Sequence, residues 1–144
     1  MLSKTCEYAL RAMIYVAQHS KNGQMINIKE ISENIDSPEL FIGKILQNLS
    51  KQGFLQSSKG RYGGFYIDDK GAKRSLADIV IAVDGDKMFK GCGVGLEYCS
   101  EKKPCPIHYQ YKEARNSIYK IYKTTTLEQF KKLNNTTPVR LKRE

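Results

Sequence analysis

The chain has 144 residues, 40% of them apolar, which suffices for one domain-sized core and is too many for a disordered polymer. Its 24 Lys and Arg against 15 Asp and Glu leave a formal net charge of +9, which favours a polyanionic partner, nucleic acid before a membrane surface. No run approaches the ~18 continuous apolar residues of a transmembrane helix, and Glu7 and Arg11 break up the N-terminal apolar stretch, so neither a membrane span nor a signal peptide is expected. The chain therefore reads as cytoplasmic, where thiols stay reduced.

From Ser3 or Thr5, the apolar residues Ala9, Leu10, Met13, Ile14, Val16 and Ala17 keep helical spacing until Lys21-Asn22-Gly23 stops the helix. Asn27, with Glu30 three residues on, predicts the start of a second helix with Ile28, Ile31 and Ile35 inside. Asp36-Ser37-Pro38 then predicts a turn, with Ser37 as cap and Pro38 in the first helical position. A third helix over 38–52 would bury Ile42, Ile45, Leu46 and Leu49 and end at Gly53. Two helices joined by a tight turn form a helix-turn-helix pattern, which plain helical hairpins share.

FLQSS (54–58) and FYI (65–67) read as strands joined by KGRYGG (59–64), a basic, glycine-rich tip carrying Lys59 and Arg61. A hairpin of this kind directly after a helix-turn-helix is the layout of a winged helix. The fold class expected is mainly α with a small β-hairpin wing. Ser75 can cap a further helix, Leu76 to Val83, ended by Asp84-Gly85-Asp86. After a cysteine-bearing segment, Ile107, Tyr111, Ala114, Ile118 and Ile121 or Tyr122 recur at four- and three-residue steps, an a/d seam on a long helix suited to dimerisation. Thr126 and Gln129 suggest a capping box for a short helix, Leu127 to Leu133, and the basic tail TTPVRLKRE is expected to fray. The organisation expected is 1–83 as the DNA-binding domain, 84–108 as a cysteine-rich loop, 106–133 as the dimerisation helix and short C-terminal helix, and 134–144 as a basic tail.

The cysteine segment, GCGVGLEYCSEKKPCPIH (91–108), holds three of the four cysteines. Thiolates prefer soft metals, and imidazole suits zinc and iron. The spacing C-x6-C-x5-C-x2-H contains no C-x2-C pair, so it matches neither a zinc knuckle nor a thioredoxin-like couple. The glycines at 91, 93 and 95 would let backbone wrap a bulky cofactor and aim N–H groups at sulfur. Free thiols or a degenerate site remain the alternative. Cys6 reads as a packing residue and His19 as a surface one. With no nucleophile–base pair, no paired carboxylates and two histidines, an enzyme is not expected.

Four segments in order, SKTCEYALRAMIYVA (3–17), KGRYGGF (59–65), LADIVIAVDGD (76–86) and the cysteine run closing in C-P-I-H, resemble the Rrf-type family of winged helix-turn-helix transcriptional regulators, the group that includes IscR, NsrR and CymR. The resemblance spans roughly residues 1–133. It implies a winged-helix homodimer, closed through the long C-terminal helix, on a palindromic operator in double-stranded DNA. It also implies an iron–sulfur cluster, 2Fe-2S favoured over 4Fe-4S, on Cys92, Cys99 and Cys105. His108 would be the fourth ligand, with Glu7 from the partner subunit as the alternative. Loss of the cluster through redox stress, nitric oxide or iron shortage would change operator affinity, most simply for a repressor. The chain departs from the family's commonest pattern in a Cys92–Cys99 gap one residue longer and in K-G-R-Y-G-G where R-G-P-G-G is usual.

The DNA-facing residues expected are Ser37, Glu39, Phe41, Lys44, Gln47 and Asn48 on the third helix, Lys59, Arg61, Tyr62 and Gly63 on the wing, and Lys4 beside a phosphate. Two competing readings are a cluster-free winged-helix regulator controlled by a partner protein or small effector, and a structural zinc protein that binds nucleic acid.

Overall fold

Three short polar side chains start three of the helices. Ser3 Oγ accepts from the Cys6 amide to open α1 (Lys4–His19), Asn27 accepts from Glu30 N to open α2 (Ile28–Ile35), and Ser75 forms a full capping box with Asp78 to open α5 (Leu76–Asp84). Between them lie α3 (Glu39–Lys51), the strands β1 (Gln56–Ser58) and β2 (Gly64–Tyr66), and the one-turn helix α4 (Asp69–Ala72). After α5 come α6 (Lys87–Lys90), α7 (His108–Thr124) and α8 (Leu127–Lys132). The computed structural model describes residues 1–133 and 139–143.

The core is organised around α1, which packs on α2, α3, α5 and α8. Cys6, Ala9, Met13, Val16 and Ala17 are fully buried along it, against Ile31, Ile35, Ile42, Leu46, Ile79 and Leu127. Small alanines on the inner stripe let neighbouring helices approach closely, and the isoleucines fill the space between. The α1–α5 segment is tied end to end by Asp84, whose carboxylate accepts from Ser3 N at 2.8 Å and from the Ser3 hydroxyl, so the last residue of α5 holds the N-terminus of α1.

α3 ends as its glycine predicts. Gly53 has φ +83°, its N–H bonds to Ser50 O, and Phe54 N bonds to Leu49 O, a Schellman closure that buries Phe54 beside Leu49. The start of α3 differs from expectation. The helix begins at Glu39, with Pro38 (ψ 132°) in the cap position and no side-chain cap. Ser37 is buried, and its backbone N–H bonds to Ser32 O while Asp36 adopts the left-handed conformation. Ser37 therefore closes α2 through its backbone, and its hydroxyl is left without a partner.

The hairpin pairs Gln56 with Tyr66, Ser57 with Phe65 and Ser58 with Gly64. It is shorter than FLQSS and FYI suggest, because Phe54 and Leu55 turn into the core instead of pairing. A third backbone segment joins it: Ile26 and Phe65 exchange both N–H···O bonds, at 2.8 and 2.9 Å. That contact explains Gly64, whose φ is +152° and where a Cβ would lie 2.3 Å from Ile26 O.

α7 has two faces. Arg115 is buried, and Tyr119 and Tyr122 pack on the buried Phe89 of α6, with ring centroids at 4.9 and 5.8 Å. The adjoining face carries Ile107, Tyr111, Ala114, Ile118 and Ile121, all exposed. The seam is therefore completed by Ile121, and Tyr122 belongs to the core. The Thr126–Gln129 capping box does not form: Thr126 makes no side-chain cap, and Gln129 donates to Thr124 O. The bridge between Ser75 and Thr126, with Leu76 N on Thr125 O, positions this turn instead. The described part of the tail is not frayed. Leu141 is buried, its carbonyl accepts from Arg11, and Arg143 pairs with Glu7 at 3.5 Å. Residues 134–138 of the expected tail lie outside the described residues. Among those described, no helix is long and apolar enough to cross a membrane.

Candidate functional site

Two sites emerge, built from different elements of the fold. The first is a groove of about 750 Å³ between the exposed face of α3 and the wing. Seven of the expected residues line it together: Glu39, Lys44, Gln47 and Asn48 from the helix, and Lys59, Arg61 and Gly63 from the hairpin. Lys44, Lys51, Lys59 and Arg61 face a single carboxylate, Glu39, which leaves the groove strongly positive. Such a surface suits a phosphate backbone, while the amides of Gln47 and Asn48 supply donors and acceptors for base edges.

The other expected contacts stand apart. Ser37 is buried. Phe41 rests edge-on against Tyr8 with centroids 5.5 Å apart, which commits its ring to the α1–α3 contact. Tyr62 is fully presented at the wing tip beside Arg61, and Lys4 is exposed on the first turn of α1; neither lines the groove. Sequence reasoning missed Leu40, which is 86% exposed, and Lys51. Both were readable, since 40, 44, 47, 48 and 51 form one stripe at helical spacing. Ser57 and Ser58 were not, because only the pairing register turns them toward the groove.

The tip is held by close backbone approach. A Cβ on Gly63 would lie 2.2 Å from Ser58 O, so no other residue fits without opening the hairpin.

The second site is the cysteine loop, 91–107, between α6 and α7. Cys92, Cys99 and Cys105 are all half-buried free thiols, and His108, first residue of α7, is buried. Two of the donors meet: Cys99 Sγ lies 3.4 Å from His108 Nδ1. The Cys92 thiol is held below the usual thiol range, chiefly because the backbone N–H groups of Val94 and Leu96 point at its sulfur. Arg115 Nη1 donates to Gly91 O at 2.7 Å and Lys90 O at 3.1 Å, and stands 3.4 Å from Cys99 Sγ. An ion pair between Lys112 and Glu101 ties the far side of the loop to α7. Gly93 is required by packing, since a Cβ there would meet the Tyr111 ring at 2.7 Å, and Gly95 by its φ of +80°.

Three thiols and an imidazole form a donor set suited to iron or an iron–sulfur cluster. His108 Nε2 is buried without a partner, the state of a ring whose other nitrogen faces the site. Among the described residues no three of these groups stand close enough together to hold a single metal ion. Glu7 lies on α1, half-exposed and paired with Arg143 of its own chain. Cys6 is buried, and burial together with Asp84 pushes its thiol up to about 12, so it is a neutral packing group.

Known proteins place this architecture. The chain is 29% identical over 130 residues to a protein of Aquifex aeolicus described as an HTH-type transcriptional regulator, covering 89% of each chain. It is 26% identical over 128 residues to the transcriptional regulator IscR of Photorhabdus laumondii, covering 89% of this chain and 77% of that one. Among solved structures, CymR, the global cysteine regulator of B. subtilis, superposes with a TM-score of 0.73 at 19% identity, over 94% of this chain and 98% of that chain, which identifies the fold as a winged helix. The Rrf2 profile, described as iron-dependent transcriptional regulator, matches residues 2–132. With a basic groove between reading helix and wing and a profile match over nearly its full length, the chain belongs to the Rrf2 family of DNA-binding transcriptional regulators and is not an enzyme.

Proposed function

We propose that the chain is a homodimeric regulator, acting as a repressor, whose affinity for a palindromic operator is set by an iron–sulfur cluster on Cys92, Cys99, Cys105 and His108. The observation that carries this reading is the contact of Cys99 Sγ with His108 Nδ1 at 3.4 Å, where the cysteine loop meets the first turn of α7. His108 is favoured over Glu7 as the fourth ligand, because His108 already faces a cysteine sulfur and Glu7 is paired with Arg143. When bound, the cluster supplies a redox couple and a group that oxidants, nitric oxide or iron shortage can remove.

The protein's own residues supply the coupling. The loop is anchored to α7, α7 packs on α5 and α6, and α5 packs on α1, which supports α3. A change in loop conformation therefore reaches the reading head through packed helices. Dimerisation along the exposed face of α7 would set two reading heads about one helical turn of DNA apart.

The test is an absorption spectrum with iron and sulfide assays on protein purified without oxygen, alongside operator binding of loaded and metal-free protein at matched salt. Coloured wild-type protein, colourless Cys92→Ala and unequal operator affinities are expected. Equal affinities would refute cluster control.

A second reading has its own observation. Cys92, a part-exposed free thiol held toward the thiolate by the backbone N–H groups of Val94 and Leu96, suits a cluster-free regulator answering a small effector or partner protein. Colourless, iron-free protein that still binds the operator would establish it.

A further inference from the structure

We propose that Arg115 is the fixed counter-cation of the cysteine loop, clamping the loop to α7 and offsetting the negative charge that its thiolates, and any group they hold, bring to the site. Arg115 is 8% exposed, yet among the described residues it has no carboxylate partner. A guanidinium stays charged at any accessible pH, and a buried charge without a counter-ion is strongly disfavoured. Its partners are Gly91 O, Lys90 O and Cys99 Sγ, all gathered on Nη1, and its Nε is buried without a partner. The carbonyls satisfy hydrogen bonding but carry no charge, so the arrangement is complete only when the loop is anionic.

The position is specific. His108 and Arg115 are seven residues apart, so they share one face of α7, and Cys99 Sγ lies 3.4 Å from a nitrogen of each. One turn away on the same helix, Tyr111 and Ile118 belong to the exposed seam. The residue that reads the charge of the loop is therefore built into the helix that carries the proposed dimer face.

This inference rests in part on the cluster reading, and the experiment separates the two. Wild type, Arg115→Met and Arg115→Lys are compared as full-length chains, Met filling the volume without charge and Lys keeping the charge. In metal-free protein, amide hydrogen exchange over 91–99 is expected to run at least about tenfold faster in Arg115→Met, the scale of one buried charge-assisted hydrogen bond, with α1 unchanged. Arg115→Lys should return most of the protection. Exchange that is unchanged in Arg115→Met, or that Lys does not restore, overturns the proposal. In reconstituted protein, Arg115→Met should lower the cluster's reduction potential by about 59 mV for each tenfold weakening of the reduced form, with Lys restoring it. An unmoved potential also overturns the charge role. If wild-type protein takes up neither iron nor sulfide, the cluster reading fails, and the exchange comparison with its lysine rescue still decides Arg115.

Discussion

Replacing Ile118 and Ile121 together by Gln should dissociate the proposed dimer without unfolding the protomer. In the isolated chain these side chains are 41% and 61% exposed, so the area a partner can cover amounts to about one whole isoleucine per chain. Full burial of such a side chain is worth about 1.5–3 kcal/mol. A two-fold interface counts each residue twice, so the double variant forfeits roughly 3–6 kcal/mol, a dimer about 10²–10⁴-fold weaker. Gln is nearly as good a helix former as Leu, and the replaced groups face away from the protomer's core, so thermal unfolding of the monomer should barely move. Sedimentation velocity across a concentration series measures the effect directly. A double variant that stays as dimeric as wild type at low micromolar concentration would refute the assignment of this face. Monomers should also lose affinity for a palindromic operator while keeping weak binding to a half-site.

Arg61→Ala should weaken operator binding and flatten the log-affinity against log-salt slope by about 0.9, the share of one phosphate contact; an unchanged slope in a salt titration would remove Arg61 from the backbone contacts. Gly64→Ala should destabilise the fold by about 2–4 kcal/mol in urea unfolding, because a Cβ 2.3 Å from Ile26 O forces apart the pair of hydrogen bonds between Ile26 and Phe65. In metal-free protein at pH 8, iodoacetamide should label Cys92 first and leave Cys6 untouched, since the thiolate is the nucleophile and Cys6 stays protonated up to about pH 12. Mass spectrometry of the labelled peptides reads this out, and urea should expose Cys6.

Local chemistry explains why much of the reading head was legible. Asn27, Ser75 and Gly53 act within four residues of themselves, through caps and a Schellman closure, so their roles survive whatever the tertiary structure does. The stripe of Lys44, Gln47 and Asn48 follows from the 3.6-residue period once Ile42, Ile45, Leu46 and Leu49 point inward. Ser37 and the Thr126–Gln129 pair failed for the opposite reason. Each carries a good local capping signal, but a backbone bond, Ser37 N to Ser32 O in one case and Leu76 N to Thr125 O in the other, claims the chain at that point. Helical period alone does not show that Tyr8 stands beside Phe41.

The sequence by itself determined the longer helices, though not the single turns α4 and α6, and with them the basic wing, the donor set of the loop and the family to which they belong, because capping, periodicity, charge and ligand chemistry are properties of neighbouring residues. Only the tertiary structure decided that Ile26 stitches the wing to the helix-turn-helix, that Tyr122 turns inward while Ile121 stays exposed, that the tail returns to α1, and that a buried arginine faces Cys99. Those outcomes depend on groups distant in the chain competing for the same buried space and hydrogen bonds, and no local pattern records the winner.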